Sequence, residues 1–362
     1  MKVDLRTPPP HPVTEVVAFA QQCEEAGFHA CGFNDSQLYF RDAFVVAAQV
    51  LANTERLVVH PALTCPGPRH TSVIASAAKP VQEFGPARYE LWLGRGDAAV
   101  STIGHAALTL SATRQAISEI KRTMAGEWGV WGDPHVHLHH SDGPPIPVFL
   151  AGRGPRVIGI AGELCDGVML GVPPNAESVA QARGWLADGA AKAGRDPAAI
   201  EVVLEVRTMI RDSRRLAHRT HAPKLLPNLV RDDSQEWLAK RGIDYNLTPI
   251  KARLRDGWEK MQQLAPAASH PYDWSAAEDI ADAAIPEELQ AAAGDTMAVL
   301  GDPDYVAARY LEFQAMGIDR IYLYANLSFQ WPEDERRAFV EVIGPALARG
   351  ETAAARQSAL GR

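Results

Sequence analysis

Aromatic residues make up only 7% of this 362-residue chain, and cysteine fills only four positions, Cys23, Cys31, Cys65 and Cys165. With so few cysteines, and no Cys-x-x-Cys or zinc-type spacing among them, neither a disulfide framework nor a structural zinc site is expected. No uninterrupted apolar run reaches the roughly 18 residues that a membrane-crossing helix needs. The opening MKVDLRTPPP has no apolar stretch of the secretory kind. Positive charge is in deficit: 36 Lys and Arg stand against 44 Asp and Glu. The resulting charge of −8 offers no general attraction to nucleic acid or to an anionic membrane. What is present is a 46% hydrophobic fraction with mixed charge, too apolar for a disordered chain and ample for a large core. A soluble, cytoplasmic enzyme is the expectation these absences leave.

Hydrophobic periodicity alternates between short apolar runs and helical spacing. Strands are expected at Lys2–Arg6, His29–Phe33, Arg56–Leu63, Tyr89–Leu93, Pro147–Ala151, Gly167–Leu170, Glu201–Met209 and Ile321–Tyr324. The intervening helices carry recognisable punctuation. Gly27 follows one of them, Asn175 and Gly194 bracket a second, and Asp302-Pro303 opens a third. Eight strands, each followed by a helix and several apolar throughout, predict a (β/α)8 TIM barrel rather than an open sheet. The expected organisation is one barrel domain over 1–350. A helical insertion at about 211–301 precedes the last strand, and 351–362 form a tail.

Two stretches depart from the repeat. Gly126–Gly143, with HVHLHH and two tryptophans, reads as a small hairpin excursion. In a hairpin strand His135, His137 and His139 would share a face, but no acidic or cysteine partner stands at ligand spacing, so no metal site is expected. The insertion holds Trp237, Trp258 and Trp274. These, with Trp128 and Trp131, either wall an apolar pocket or pack the excursions.

In a (β/α)8 enzyme the chemistry sits on the loops that follow the strands. Those loops here are Asn34-Asp35-Ser36-Gln37, Thr64-Cys65-Pro66-Gly67-Pro68-Arg69-His70, Gly94-Arg95-Gly96-Asp97, Gly152-Arg153-Gly154-Pro155-Arg156 and Gly171-Val172-Pro173-Pro174. Two of them set an arginine between glycines just before a helix. Glycines admit close backbone approach, arginine brings charge, and a helix N-terminus favours anions. The pair points to a phosphate-bearing cofactor, although tight βα turns alone also call for glycine. Cys65 reads as a lining residue. Arg207, inside the seventh strand, suits an anion if it faces the barrel interior, or a salt bridge if it faces the helices.

The segments AGFHACGFNDSQLYFRDAFV (26–45), LTCPGPRHTSVIASA (63–77), LWLGRGDAAVSTIG (91–104) and PVFLAGRGPRVIGIAGELCDGVMLG (147–171) together resemble the luciferase-like superfamily. Its members include bacterial luciferase, flavin-dependent monooxygenases and enzymes of the deazaflavin coenzyme F420. The likeness is greatest to the methylenetetrahydromethanopterin reductase branch. It implies a (β/α)8 flavoprotein-type oxidoreductase with the cofactor ring in the barrel mouth. It puts the cofactor phosphate near Gly94, Arg95, Gly96 and Asp97 and near Gly152, Arg153, Gly154 and Arg156. It further implies a non-prolyl cis peptide at the end of the third strand, by position Ala62–Leu63 just before Thr64, and cofactor contacts at Asp35. Asp97 falls where an acidic proton donor stands in some F420 enzymes. Many relatives carry a histidine directly after the strand-two aspartate. This chain has Ser36 there, which does not titrate near neutrality. Ser36 and Asp97 are thus the expected catalytic positions, with His70 or an insertion residue as substitutes.

The resemblance implies either F420-dependent hydride transfer, favoured by the reductase branch, or a two-component monooxygenase using reduced FMN. A non-catalytic flavin-binding or structural barrel is the third alternative. A small-molecule substrate, a flavin or F420 reductase as partner, and a homodimer go with the first two.

Overall fold

The computed structural model of the chain describes residues 1–264, 273–325, 327 and 329–350. The tail expected at 351–362 lies outside the described residues. Along the first half run β1 (Lys2–Arg6), α1 (Val13–Glu25), β2 (Ala30–Phe33), α2 (Ala43–Ala52), β3 (Val58–Pro61) and α3 (Thr71–Glu83). There follow β4 (Leu91–Leu93), α4 (Ala98–Ser101), α5 (Leu110–Met124), β5 (Val148–Gly152), α6 (Pro155–Leu164), β6 (Gly167–Leu170) and α7 (Ala176–Lys192). After β7 (Glu201–Ile210) come α8 (Arg214–His221), α9 (Leu226–Leu229), α10 (Ser234–Ala239), α11 (Lys251–Gln263), α12 (Trp274–Ala284) and α13 (Glu287–Asp295). The chain closes with β8 (Val299–Gly301), α14 (Pro303–Ala315), β9 (Arg320–Ala325) and α15 (Glu333–Ala338).

The expected punctuation acts as caps: Asn175 and Asp302 each accept a backbone N–H bond at the start of α7 and α14, and Asp42, which the sequence reading did not single out, does the same for α2. Gly27 and Gly194 leave α1 and α7 at φ +87° and +64°, where a Cβ would be strained. The strands order as β3-β2-β1-β9-β7-β6-β5-β4, with parallel pairing among the described residues. Bridges Val59–Tyr89 and Thr64–Leu93 bring β3 to β4 and nearly close the ring. The result is a TIM-type barrel of eight strands, to which β8 adds a short pairing along β7. That strand was not expected. The insertion was read as wholly helical, and three residues are too few for a period to show.

The chain divides into two compact units. The first is Lys2–Glu205 with Ile318–Leu323. Its strand interiors stack in layers. At the floor, Arg320 is fully buried and ion-paired to Asp4 (2.8 Å), Glu90 (2.9 Å) and Glu201 (3.2 Å). Above it Trp92 stacks on His60 at 3.7 Å and on Phe149 at 5.1 Å, with Tyr322 tilted against it. Gly32 and Gly167 are required here, because a Cβ would lie 2.6 Å from the His60 ring and 2.0 Å from the Phe149 ring.

The expected hairpin at 126–143 does not form, and turns replace it. Gly126, Gly129, Gly132 and Gly143 all take positive φ, which breaks the strand alternation. His137 rests on Trp128 and His139, and His140 bonds the Ser76 carbonyl. The excursion closes a cleft of about 810 Å³ over α3, lined by Val73, Trp131, Val136 and His137. The histidines thus serve an outer cleft, which the strand-end loops reach only through His70.

The second unit is Met1, Val206–Gly317 and the chain from Tyr324 onward. It has its own apolar core, in which Leu225, Leu229, Leu254, Met261, Ala281 and Leu289 are buried. Trp237 and Trp258 pack on that core, and Trp274 donates to the Thr220 carbonyl. These insertion tryptophans therefore pack the helices. Arg207 lies over the Tyr324 ring at 5.1 Å.

Glu335, in the first turn of α15, is buried beside Arg211 and Asp334. Burial pushes its carboxyl up to about 7 against the pull of the Arg211 guanidinium. A raised folded pKa means that the unfolded chain releases this proton first, near the usual 4.5. Stability is therefore lost as pH rises from about 4.5 to about 7 and is level beyond. Glu335→Gln is expected to flatten that window in urea melts recorded between pH 5 and 8. An unchanged slope would show that Glu335 is ionised in the fold.

Candidate active site at the strand ends

The loops after β2 to β6 all belong to the first unit, and the structure brings them to one end of the strands. Their frame is a brace around Asp35, which is only 7% exposed. Asp35 Oδ2 accepts from the Thr64 hydroxyl at 2.7 Å, and Oδ1 accepts from Arg69 Nη2 at 3.1 Å. Arg69 also bonds Asp42 at 2.6 Å and lies over Phe44. The Asp42 carboxyl is buried enough to be pushed up, yet the Arg69 bond and the α2 backbone N–H groups hold it below its usual value. Thr64 in turn links the strands: its N–H donates to Trp92 and its carbonyl accepts from Gly94. Between β3 and Thr64 lies a non-prolyl cis peptide, Ala62–Leu63.

The two Gly-Arg-Gly loops behave differently. Arg95 is half-buried, and its Nε donates to the Leu108 carbonyl at 2.7 Å, so it braces its own loop. Gly96, at φ +102°, has Val100 and the Cys65 sulfur within 3.0 Å of where a Cβ would stand. Gly94 and Gly152 are likewise crowded by Leu63 and Ile158. These three glycines are explained by packing. Gly154 is not: nothing lies within 4 Å of its absent Cβ, and its φ of −138° suits any residue. It caps α6 without a side-chain bond, with Pro155 at the first helical position and Arg153 and Arg156 exposed beside it. Arg153 folds over Gly171, where Glu205 also comes close.

Of the expected catalytic pair, Ser36 is half-buried and Asp97 is exposed, without capping α4. His70 caps α3 through Ser72 and faces Trp131 at 4.7 Å, in the outer cleft. The Cys65 thiol is pushed up by burial, so it stays protonated and lines the loop.

Three buried polar residues were not among the candidate site residues, although Asn34 opens the loop after the second strand. Arg6 and Glu205 are 0% and 8% exposed, and Asn34 is 9% exposed with its Oδ1 unpartnered among the described residues. Arg6 and Glu205 are buried within β1 and β7, and Asn34 directly follows the wholly apolar β2. That mismatch is the signal that would have found them.

A model described as the luciferase-like monooxygenase family matches residues 2–320. The chain belongs to that family. This luciferase-like chain is 28% identical over 204 residues to the 5,10-methylenetetrahydromethanopterin reductase of Methanolobus tindarius, covering 54% of the chain and 61% of that relative. It is 27% identical over 222 residues to the F420-dependent hydroxymycolic acid dehydrogenase of Mycobacterium tuberculosis, covering 56% of the chain and again 61% of the relative. Among solved structures it shares its fold with the coenzyme F420 dependent tetrahydromethanopterin reductase of Methanopyrus kandleri. The TM-score is 0.70 at 18% identity, over 95% of this chain and 98% of that one. A long-chain alkane monooxygenase superposes with a TM-score of 0.61 at 13% identity, over 96% and 91%. The family's members include F420- and flavin-dependent oxidoreductases. Among the described residues no helix is long and apolar enough to cross a membrane, and no group of three or more His, Cys, Asp or Glu converges as a metal site.

Proposed function

We propose that this luciferase-like chain is an F420-dependent oxidoreductase that passes hydride to or from a carbon of a small organic substrate. The carrying observation is Gly154. It is a glycine that neither backbone strain nor packing requires, at an uncapped helix start between two exposed arginines. A phosphate seated there would explain it, since the first-turn N–H groups and the guanidiniums of Arg153 and Arg156 all attract an anion. The relatives that match over half the chain, a methylenetetrahydromethanopterin reductase and an F420-dependent dehydrogenase, favour the deazaflavin.

When bound, the cofactor supplies the electrons and the hydride. The protein's part is position and charge. Arg95 holds the 94–97 loop against Leu108, and the Asp35 brace fixes Thr64 beside the Ala62–Leu63 peptide. Ser36 stands where an imidazole would, so it orients by hydrogen bonding and leaves proton transfer to the Asp97 carboxyl. The family model's description as a monooxygenase supports a second reading, in which reduced FMN from a separate reductase activates oxygen.

Anaerobic titration with F420 and, separately, with reduced FMN decides between them. Binding of F420 alone is the expected result. Binding of FMN alone moves the assignment to oxygenation, and binding of neither leaves a non-catalytic barrel. Two alanine variants test the phosphate seat. Gly154→Ala is expected to keep the unfolding midpoint and weaken cofactor binding about tenfold, the scale of one charge-assisted contact. Gly152→Ala would put a methyl 2.9 Å from Ile158 Cγ1 and 3.2 Å from its backbone nitrogen, and is expected to cost about 1–3 kcal/mol of stability. Unaltered affinity in Gly154→Ala would remove the phosphate from this loop.

A further inference from the structure

We propose that Asn34 is the residue that reads the pyrimidine edge of the redox ring, an assignment that rests on the cofactor reading above. The unpartnered Oδ1 of Asn34 is a buried acceptor, and a buried polar atom without a partner calls for an explanation. Strand alternation says which way the side chain points. Gly32, two residues earlier on β2, faces the barrel interior, since its Cβ position abuts the His60, Tyr322 and Ala62 side chains. Asn34 continues that face one step toward the strand ends. The ladder supports this register: Phe33 pairs with Pro61, and the Phe33 carbonyl accepts from the Ala62 N–H at 2.7 Å. Asn34 therefore lies level with Ala62, at the cis peptide. The layer beneath it is filled by aromatic rings, so a partner for this buried acceptor has to reach it from the strand ends.

The chemistry of the neighbours narrows what that is. The adjacent Asp35 already accepts at both oxygens, from Thr64 and from Arg69, whereas Asn34 Oδ1 has no donor among the described residues. A carboxamide presents one acceptor and one donor side by side. The pyrimidinedione edge of a flavin or deazaflavin presents a carbonyl, an N–H and a second carbonyl in a row. Asn34 pairs with the N–H through Oδ1 and with one flanking carbonyl through its NH2. Arg6, buried on the neighbouring strand and a donor only, has the right character for the other carbonyl. FMN and F420 share this edge, so the assignment holds for either.

The test is a set of dissociation constants, followed by fluorescence, for the native protein and Asn34→Leu with F420, with FMN and with the bound cofactor methylated at ring N3. Asn34→Leu is expected to weaken the natural cofactor at least tenfold with its unfolding midpoint unchanged. The N3-methyl ring is expected to bind the native protein at least tenfold more weakly than its parent, and Asn34→Leu to remove that difference. If the native protein binds neither cofactor, the cofactor reading falls and this assignment with it. If the native protein binds a cofactor but Asn34→Leu binds it within twofold, only the assignment to Asn34 falls, and Oδ1 is held by water. Should Asn34→Leu fail to fold, the native protein decides alone: equal affinity for parent and N3-methyl ring overturns the proposal.

Discussion

Replacing Arg320 by methionine is expected to lower the free energy of unfolding by about 3–5 kcal/mol, the cost of stranding a buried charge partner. Arg320 is fully buried at the barrel floor and reaches Asp4 on β1, Glu201 on β7 and Glu90 just before β4, while the Trp92 and Phe149 rings lie 5.4 and 5.7 Å from its guanidinium. Methionine fills much of the volume and meets the rings, but it leaves Asp4 buried with only His60 nearby, at 3.7 Å. Equilibrium denaturation of the two proteins in urea measures the difference.

The pH dependence of that difference carries its own sign. Burial alone would raise the Asp4 carboxyl, yet Arg320, with help from His60, holds it below its usual 3.8. In the native protein this contribution is therefore present above about 3.8 and lost as pH falls through the lower folded value. Without Arg320 the burial penalty remains, opposed by His60 and, more weakly, by His29, so the Asp4 carboxyl is expected to take up a proton on folding at neutral pH. The variant then gains stability as pH falls from 7 toward 4, and the gap from the native protein narrows. A gap that stays constant over that range would mean that Asp4 is not the charge left behind.

This network shows where reading the chain ran short. The last strand was legible as Ile321–Tyr324, because Ile, Tyr and Leu alternate in the usual way. The structure starts that strand one residue earlier, at Arg320. Its partner Asp4 lies 316 positions away, and no local period links the two. Local signals fared well where the physics is local. Caps such as Asn175 and Asp302 act within three residues, and Gly27 and Gly194 sit where only the adjacent turn decides. The Ala62–Leu63 cis peptide came from likeness to a family rather than from any residue preference. The strand-end loops were found because a barrel's topology dictates them. Arg6, Asn34 and Glu205 were not singled out, because their interest lies in burial, which depends on strands that meet only in three dimensions.

The second large effect is expected at Asp35. Asp35→Ala removes two charge-assisted bonds and leaves the Thr64 hydroxyl, itself fully buried, without its acceptor. Arg69 keeps Asp42, so only one group is stranded. The expected loss is about 2–4 kcal/mol, combining the charged bonds with an unsatisfied hydroxyl. Because Thr64 is joined to β4 on both sides and follows the cis peptide directly, its release should loosen the strand-end loops together. Cofactor affinity is therefore expected to fall at least tenfold in the same variant. Asp35→Asn keeps an acceptor for Thr64 while losing the charge toward Arg69, and should recover most of the affinity but only part of the stability. Measuring the unfolding midpoint and the cofactor dissociation constant on both variants separates the two contributions. If Asp35→Ala matched the native protein in affinity, the brace would be a structural tie of the barrel rim with no part in holding the ring.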